Sequence, residues 1–283
     1  MTEHTDPAFT SDLALERRRV NTDVDGIEYK RERSLMGVWE RITVRTEEGE
    51  RSIGRPKGIY DTLTLDRMDK LTPVEIDDAA EEVAKELCNI FERENIRPGR
   101  ILVLGLGNRE LTPDAVGPRA AAGIYPTLHI SREDNELFEG FECSEIAVLA
   151  PGVSSSSGMD ASEVTEGVCR MIRPDVIIAI DALASRSPER LGTTVQISST
   201  GIHPGSGVGR HKKAINLDTL GTPVIAIGVP TVISSDLFLT GVPNTEKRRG
   251  HTMLVSPKDI DGIVKGAAEI ISGGINQAFG ISY

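Results

Sequence analysis

The sequence predicts an α/β fold: three αβα layers around a mostly parallel central sheet, with an N-terminal antiparallel β segment. Three observations carry that expectation. From Ile101 onward, short and wholly apolar runs alternate with amphipathic stretches, as when helices cover both faces of a sheet. Between Ser34 and Leu65 apolar residues tend to recur at every second position, as in antiparallel strands with one wet face. Helix-start signals fall where the apolar rhythm changes from strand-like to helical.

Taken in order, the stretch up to about Thr22 has no usable period. Val38, Ile42 and Val44 alternate, Glu48-Gly49 reads as a turn, and Ile53, Ile59, Leu63 and Leu65 continue the pattern. Thr72, Pro73 and Glu75 then form a capping box with proline at the first helical position, and Ile76, Ala80, Val83, Leu87 and Phe91 share one helical face. Ile101 to Leu104 reads as a strand, Ala115 to Gly123 as a helix and Glu145 to Ala150 as a strand. Asp160 to Arg173 is a helix with Asp160 and Glu163 as its capping box. Val176 to Ile180 is an apolar strand ending on Asp181. Thr193–Ser198 and Pro223–Val229 add two strands, and Ser256-Pro257 opens a last helix bearing Ile260, Val264, Ile271 and Ile275.

Composition narrows the class. At 283 residues, 39% apolar and 27% charged, the chain suits one large domain or two small ones. No apolar run reaches the roughly 20 residues of a membrane helix, and Met1 to Val20 lacks the apolar centre of a secretory signal, so a cytoplasmic location is expected. Three widely spaced cysteines, Cys88, Cys143 and Cys169, argue against a disulfide framework and have no zinc-site spacing. A net charge of -11 disfavours direct nucleic-acid binding.

Open α/β sheets bind ligands beyond the carboxyl ends of their parallel strands, which directs attention to the loops after Leu104, Ile180 and Val229. The first runs Gly105-Leu106-Gly107-Asn108 to Thr112-Pro113-Asp114. It is no dinucleotide fingerprint, because Glu110 stands where the third glycine belongs. Asp114 and Asp181 both fall on the crevice side. In a poorly solvated cleft one carboxyl of such a pair keeps a proton and the other acts as base on a water, chemistry suited to amide hydrolysis. Competing readings are a helix cap for Asp114, and a cap or a partner of Arg186 for Asp181. His203, in a glycine-rich loop, is either a third functional group or a structural histidine. Ser154 to Ser157 is either an anion cradle or a plain loop, and Arg210 to Lys213 is a basic patch.

These stretches, with Ala150-Pro151-Gly152-Val153, Ile178-Ala179-Ile180-Asp181-Ala182-Leu183-Ala184, Thr200-Gly201-Ile202-His203-Pro204-Gly205 and Gly228-Val229-Pro230-Thr231, together resemble the germination protease family of spore endopeptidases. The resemblance covers most of the chain in the same order. It implies that Asp114 and Asp181 are the functional aspartates. It also implies a zymogen that cuts itself between Asp12 and Leu13 within Asp12-Leu13-Ala14, leaving 1–12 as propeptide and 13–283 as a single peptidase domain. Gly105, Gly107 and Asn108 would position the substrate backbone through their amides. The implied substrates are small acid-soluble spore proteins in the spore core, the implied assembly a homotetramer, and neither cofactor nor metal is called for. The chain departs from the family between Asp236 and Met253, where the family carries a longer segment. Two rival functions stay open: a peptidase like the nickel-dependent hydrogenase maturation enzymes, and a non-catalytic nucleotide-binding module.

Overall fold

In the computed structural model the described residues are 11–18, 25–140, 143–204, 213–235 and 253–281. Helix α1 (Ala14–Arg18) precedes strands β1 (Ile27–Arg33) and β2 (Gly37–Val44), helix α2 (Glu47–Ile53) and strand β3 (Gly58–Leu65). The long helix α3 (Pro73–Arg93) leads to β4 (Arg100–Gly105), α4 (Val116–Ala122), α5 (Leu128–Glu133), α6 (Asn135–Glu139) and β5 (Glu145–Leu149). Then come α7 (Ser154–Ser157), α8 (Ala161–Ile172), β6 (Val176–Ser185), β7 (Thr194–Ser198), α9 (Leu217–Leu220), β8 (Val224–Ser234), β9 (Leu254–Val255) and α10 (Ile260–Ala278).

Among the described residues all nine strands belong to one sheet, ordered β1-β2-β3-β7-β8-β6-β4-β5, with β9 paired to β8. The expected three-layer α/β architecture holds, but the sheet is mixed rather than mostly parallel: only β5, β4, β6 and β8 run parallel to their neighbours in that set. The link from β6 to β7, residues 186–193, is too short for the crossover that a parallel strand needs, so β7 returns antiparallel. It thereby joins β8 to β3 and brings the N-terminal meander into the same sheet.

Three local expectations need correction. Glu48-Gly49 is not a turn but part of α2: Thr46 accepts the Gly49 amide, Glu47, Glu48 and Glu50 sit at the helix's positive end, and Gly54 closes it at φ 60°. Strand β6 does not end at Ile180; alternation continues through Ala182-Leu183-Ala184, and β8 pairs with it as far as Ser185. Helix α10 starts at Ile260, because Leu254-Val255 is drawn into an edge pairing with β8 first.

Alternation along the central strands builds two cores. Ile101, Val103, Ile178, Ile180, Ile225 and Ile227 face α3, α4 and α10. Leu102, Leu104, Ile177, Ala179 and Val224 face the other way, toward Ile172 and Cys169 of α8. Helix α4 lies close on β4 and β6 because Gly117 has no side chain; a Cβ there would stand 2.2 Å from the Leu106 carbonyl and 2.4 Å from that of Ile180. Among the described residues no helix is long and apolar enough to cross a membrane.

Candidate active site

Strand β4 pairs with β6 only as far as Gly105↔Ile180. Beyond that point β6 keeps its β8 partner but has lost its β4 neighbour, and a cleft of about 510 Å³ opens there. Its walls include Asp114, Asp181, Gly107 and His203, so the structure brings together residues from three separate loops and strands.

Asp181 lies within β6, opposite Gly228 of β8, and is almost wholly buried. Its Oδ1 accepts the Ala182 amide at 2.9 Å. Alternation puts it on the opposite face of the sheet from Ile180, whose side chain is in the α4 core. Asp114 ends a 3-10 turn, Thr112–Asp114. It is not the side-chain cap of α4: Ala115 occupies that position, and Asp114 instead accepts the Asn108 amide on Oδ2 at 2.8 Å. The carboxylate is therefore held by the loop that precedes it. Gly107 makes this possible, at φ 112° and with a hypothetical Cβ only 2.1 Å from the Asp114 carbonyl oxygen. Thr231 of β8 steadies the same turn by donating to the Pro113 carbonyl at 2.7 Å.

Of the loop amides, Leu106 donates to the Ile180 carbonyl and Asn108 to Asp114, both at 2.8 Å, while Gly105 lies behind, against Gly117 and Ala121 of α4. His203 stands exposed on the cleft wall. The hydroxyls of Ser154, Ser156 and Ser157 are spent on Asp160, the Val153 carbonyl and the Met159 carbonyl, which speaks against an anion cradle; the segment is not a plain loop either but the single helical turn α7. Arg210, His211 and Lys212 lie outside the described residues, as does Leu237 to Thr252; Lys213 pairs with Glu166. Among the described residues no group of three or more His, Cys, Asp or Glu side chains is placed to hold a metal ion.

The same cleft contains Asp12. Its amide donates to the Ala184 carbonyl at 2.9 Å and its Oδ2 accepts the Ala184 amide at 2.9 Å, so it occupies the β6 edge that β4 leaves open. Gln196 of β7 grips the residues on either side of Leu13: Oε1 accepts the Ala14 amide at 2.9 Å and Nε2 donates to the Asp12 carbonyl at 3.3 Å. Arg55 donates to the Ser11 carbonyl at 2.7 Å. Leu13 and Ala14 are wholly buried, and Ala14 and Leu15 pack on Ile42, Val44, Ile53 and Tyr60. Burial pushes the Tyr60 phenol up to about 12, so it stays neutral beside the segment. Gln196, Arg55 and Thr231 were not singled out from the sequence. Only Gln196 carried a signal, and a weak one: it alternates with Thr194 and Ser198 on the polar face of β7, opposite Val195 and Ile197, and is the one long amide among them.

The family model for the germination protease matches residues 8–240. The germination protease of Caldanaerobacter subterraneus subsp. tengcongensis is 36% identical, with 95% of this chain and 93% of that protein covered. Those of Priestia megaterium and Bacillus subtilis are 34% and 30% identical, covering 94% and 95% of this chain and 90% and 92% of theirs. Among solved structures, the [NiFe] hydrogenase maturation protease HycI from Thermococcus kodakarensis matches 66% of this chain and 97% of its own at 18% identity and a TM-score of 0.39, too loose a likeness to bear on function. Family model and relatives agree over nearly the whole length: the chain belongs to the germination protease family, and is a peptidase.

Proposed function

We propose that this protein is a self-processing endopeptidase that starts the breakdown of small acid-soluble spore proteins, and that Asp114 and Asp181 activate the attacking water. One observation carries the reading. Asp12, the residue before the proposed cut, shares a cleft with both aspartates and is laid along the open edge of β6. An extended segment added to a sheet edge is a common way to present a peptide bond.

In this reading one carboxyl protonates the leaving amine while the other takes a proton from water, so the pair supplies both proton transfers. Gly107 and Asn108 hold Asp114 in place, and His203 is available as a third group at the rim. Membership of the germination protease family supports this substrate class, and with it we propose the spore core as location and a tetramer as assembly.

Mass spectrometry of the full chain, incubated at mildly acidic and neutral pH, tests the proposal. Wild type should accumulate a species beginning at Leu13, and Asp114→Asn and Asp181→Asn should each slow its appearance on the order of 10²-fold or more. Undiminished processing in both variants would sink the aspartate pair.

A further inference from the structure

In a cut between Asp12 and Leu13 the carbonyl under attack is that of Asp12, and Gln196 Nε2 donates to it at 3.3 Å. The other contact of Gln196 fixes which way its amide points. The Ala14 backbone amide can only donate, so at 2.9 Å it faces Oε1, and the NH2 end is turned to Asp12. Gln196 is buried, so little water screens the contact.

Sheet register sets this amide across from a carboxylate. Gln196 of β7 pairs with Gly228 of β8, and Gly228 pairs with Asp181 of β6. Residues level with one another in a sheet share a face, so Gln196 and Asp181 stand on the same one, and the residue between them has no side chain. Their neighbours Ile197, Ile227 and Ile180 all enter the core on the opposite face. Two strand spacings separate the pair by ~10 Å, a span that admits a peptide bond.

The chemistry leaves a task open at this place. In the reading above, one carboxyl takes a proton from the attacking water, and the other delivers one to the Leu13 nitrogen as the C–N bond breaks. When the water oxygen bonds to the Asp12 carbonyl carbon, the π electrons move onto the carbonyl oxygen, and neither proton transfer neutralises that charge. Leu106 and Asn108 do not reach it, since their amides are spent on the Ile180 carbonyl and on Asp114, and Arg55 is engaged one residue earlier, on the Ser11 carbonyl. A bond of 3.3 Å is long for N–H to oxygen and has room to shorten as the oxygen gains charge, so it strengthens toward the transition state.

We propose that Gln196 is a catalytic residue of this peptidase: its side-chain NH2 stabilises the charge that develops on the carbonyl oxygen of the cut bond, while Oε1 holds the residues beyond that bond in register. This role rests on the self-processing reading above.

Gln196→Glu tests it. Once ionised, the introduced carboxylate still accepts the Ala14 amide but has no hydrogen to offer the Asp12 carbonyl. Mass spectrometry times the cut in the full chain, and amide exchange at Leu13 and Leu15, read with Asp181→Asn added so that no cut intervenes, gives the docked fraction. Per docked chain, processing at neutral pH should fall about 10²–10³-fold, the usual effect of removing one such donor. If the buried charge prevents folding, Gln196→Met, neutral and of similar length, takes its place; docking loosens, but the rate per docked chain should fall by the same factor. A rate per docked chain within about threefold of wild type in the folded variant overturns the role and leaves the aspartate pair standing. A wild-type chain that is never cut removes the self-processing reading, and this role with it.

Discussion

Asn108 donates its backbone amide to Asp114 Oδ2 at 2.8 Å, and Gly107 between β4 and that contact sits at φ 112°. The strained-for-others glycine and the carboxylate are thus one device. Gly107→Ala would place a methyl 2.1 Å from the Asp114 carbonyl oxygen in a backbone region that L residues avoid. The loop must shift, and Asp114 with it. We expect processing at Asp12–Leu13 to slow by on the order of 10²-fold, since about 1 Å of misplacement at a reacting centre can have that effect. Time-resolved mass spectrometry measures it. A processing rate within twofold of wild type would show that Asp114 need not be held by this loop.

Thr231 offers a milder test of the same support. It is fully buried, and its hydroxyl donates to the Pro113 carbonyl at 2.7 Å. Thr231→Val keeps the shape and leaves that carbonyl without this donor, which should destabilise the fold by about 1–3 kcal/mol. Chemical denaturation measures the loss, and the parallel readout is kcat, expected to fall more than KM rises. Thr231→Ser should restore both, which a packing role for the methyl would not predict.

Much of this arrangement was legible in the sequence, because strand and helix periodicities, capping boxes and the short wholly apolar strands are local. Thr72 with Glu75 and Asp160 with Glu163 form the capping boxes their spacing implies. The crevice position of Asp114 and Asp181 followed from sheet logic alone. What escaped was set by long-range pairing. That β6 runs past Asp181 depends on β8 extending beside it, and that β7 returns antiparallel depends on which neighbour it finds. Glu47-Glu48-Gly49 forms a helix because a threonine cap and the helix dipole outweigh the turn preference of glycine. The grip of Gln196 on residues 182 and 184 positions away could not be read from spacing at all.

That grip can be measured. Gln196 hydrogen-bonds the Asp12–Ala14 backbone twice, at 2.9 and 3.3 Å, and is buried. Gln196→Ala removes both partners and leaves the Ala14 amide and Asp12 carbonyl without them, for a local loss of about 1–3 kcal/mol. Amide hydrogen exchange around Leu13 to Leu15 should accelerate by about tenfold or more, with the β4 and β6 amides unchanged. Processing should slow in step. Unaltered exchange in Leu13 to Leu15 would mean that burial of these side chains, rather than Gln196, holds the segment down.

A last expectation concerns pH and a buried charge cluster on the α3 side of the sheet. Asp61 is fully buried, and burial, followed by its hydrogen bond to Glu86 and that group's charge, pushes it up to about 7 against the pull of Arg93. Burial also pushes Glu86 upward, but Arg41 and the Asp61 hydrogen bond more than offset it and leave Glu86 below its ordinary value. The signs are opposite. Asp61, with its folded value above its unfolded one of 3.8, contributes stability that is complete below the unfolded value and fades as pH rises through about 7. Glu86 contributes stability above its unfolded value of 4.5, lost only as pH falls below that. Between about pH 5 and 8 Asp61 therefore dominates, and unfolding free energy should decline by ~2 kcal/mol across that range. Asp61→Asn mimics the protonated acid: its carbonyl can still accept from Arg93 Nη1, now bonded to Asp61 Oδ2 at 2.6 Å, while its amide can donate to Glu86. The variant should flatten the decline and be at least as stable as wild type at the alkaline end. Urea titrations at several pH values give the answer; a wild-type profile that rises over this range, or an Asp61→Asn profile as steep as wild type, would show that Asp61 is ionised throughout and that Arg93 outweighs its burial.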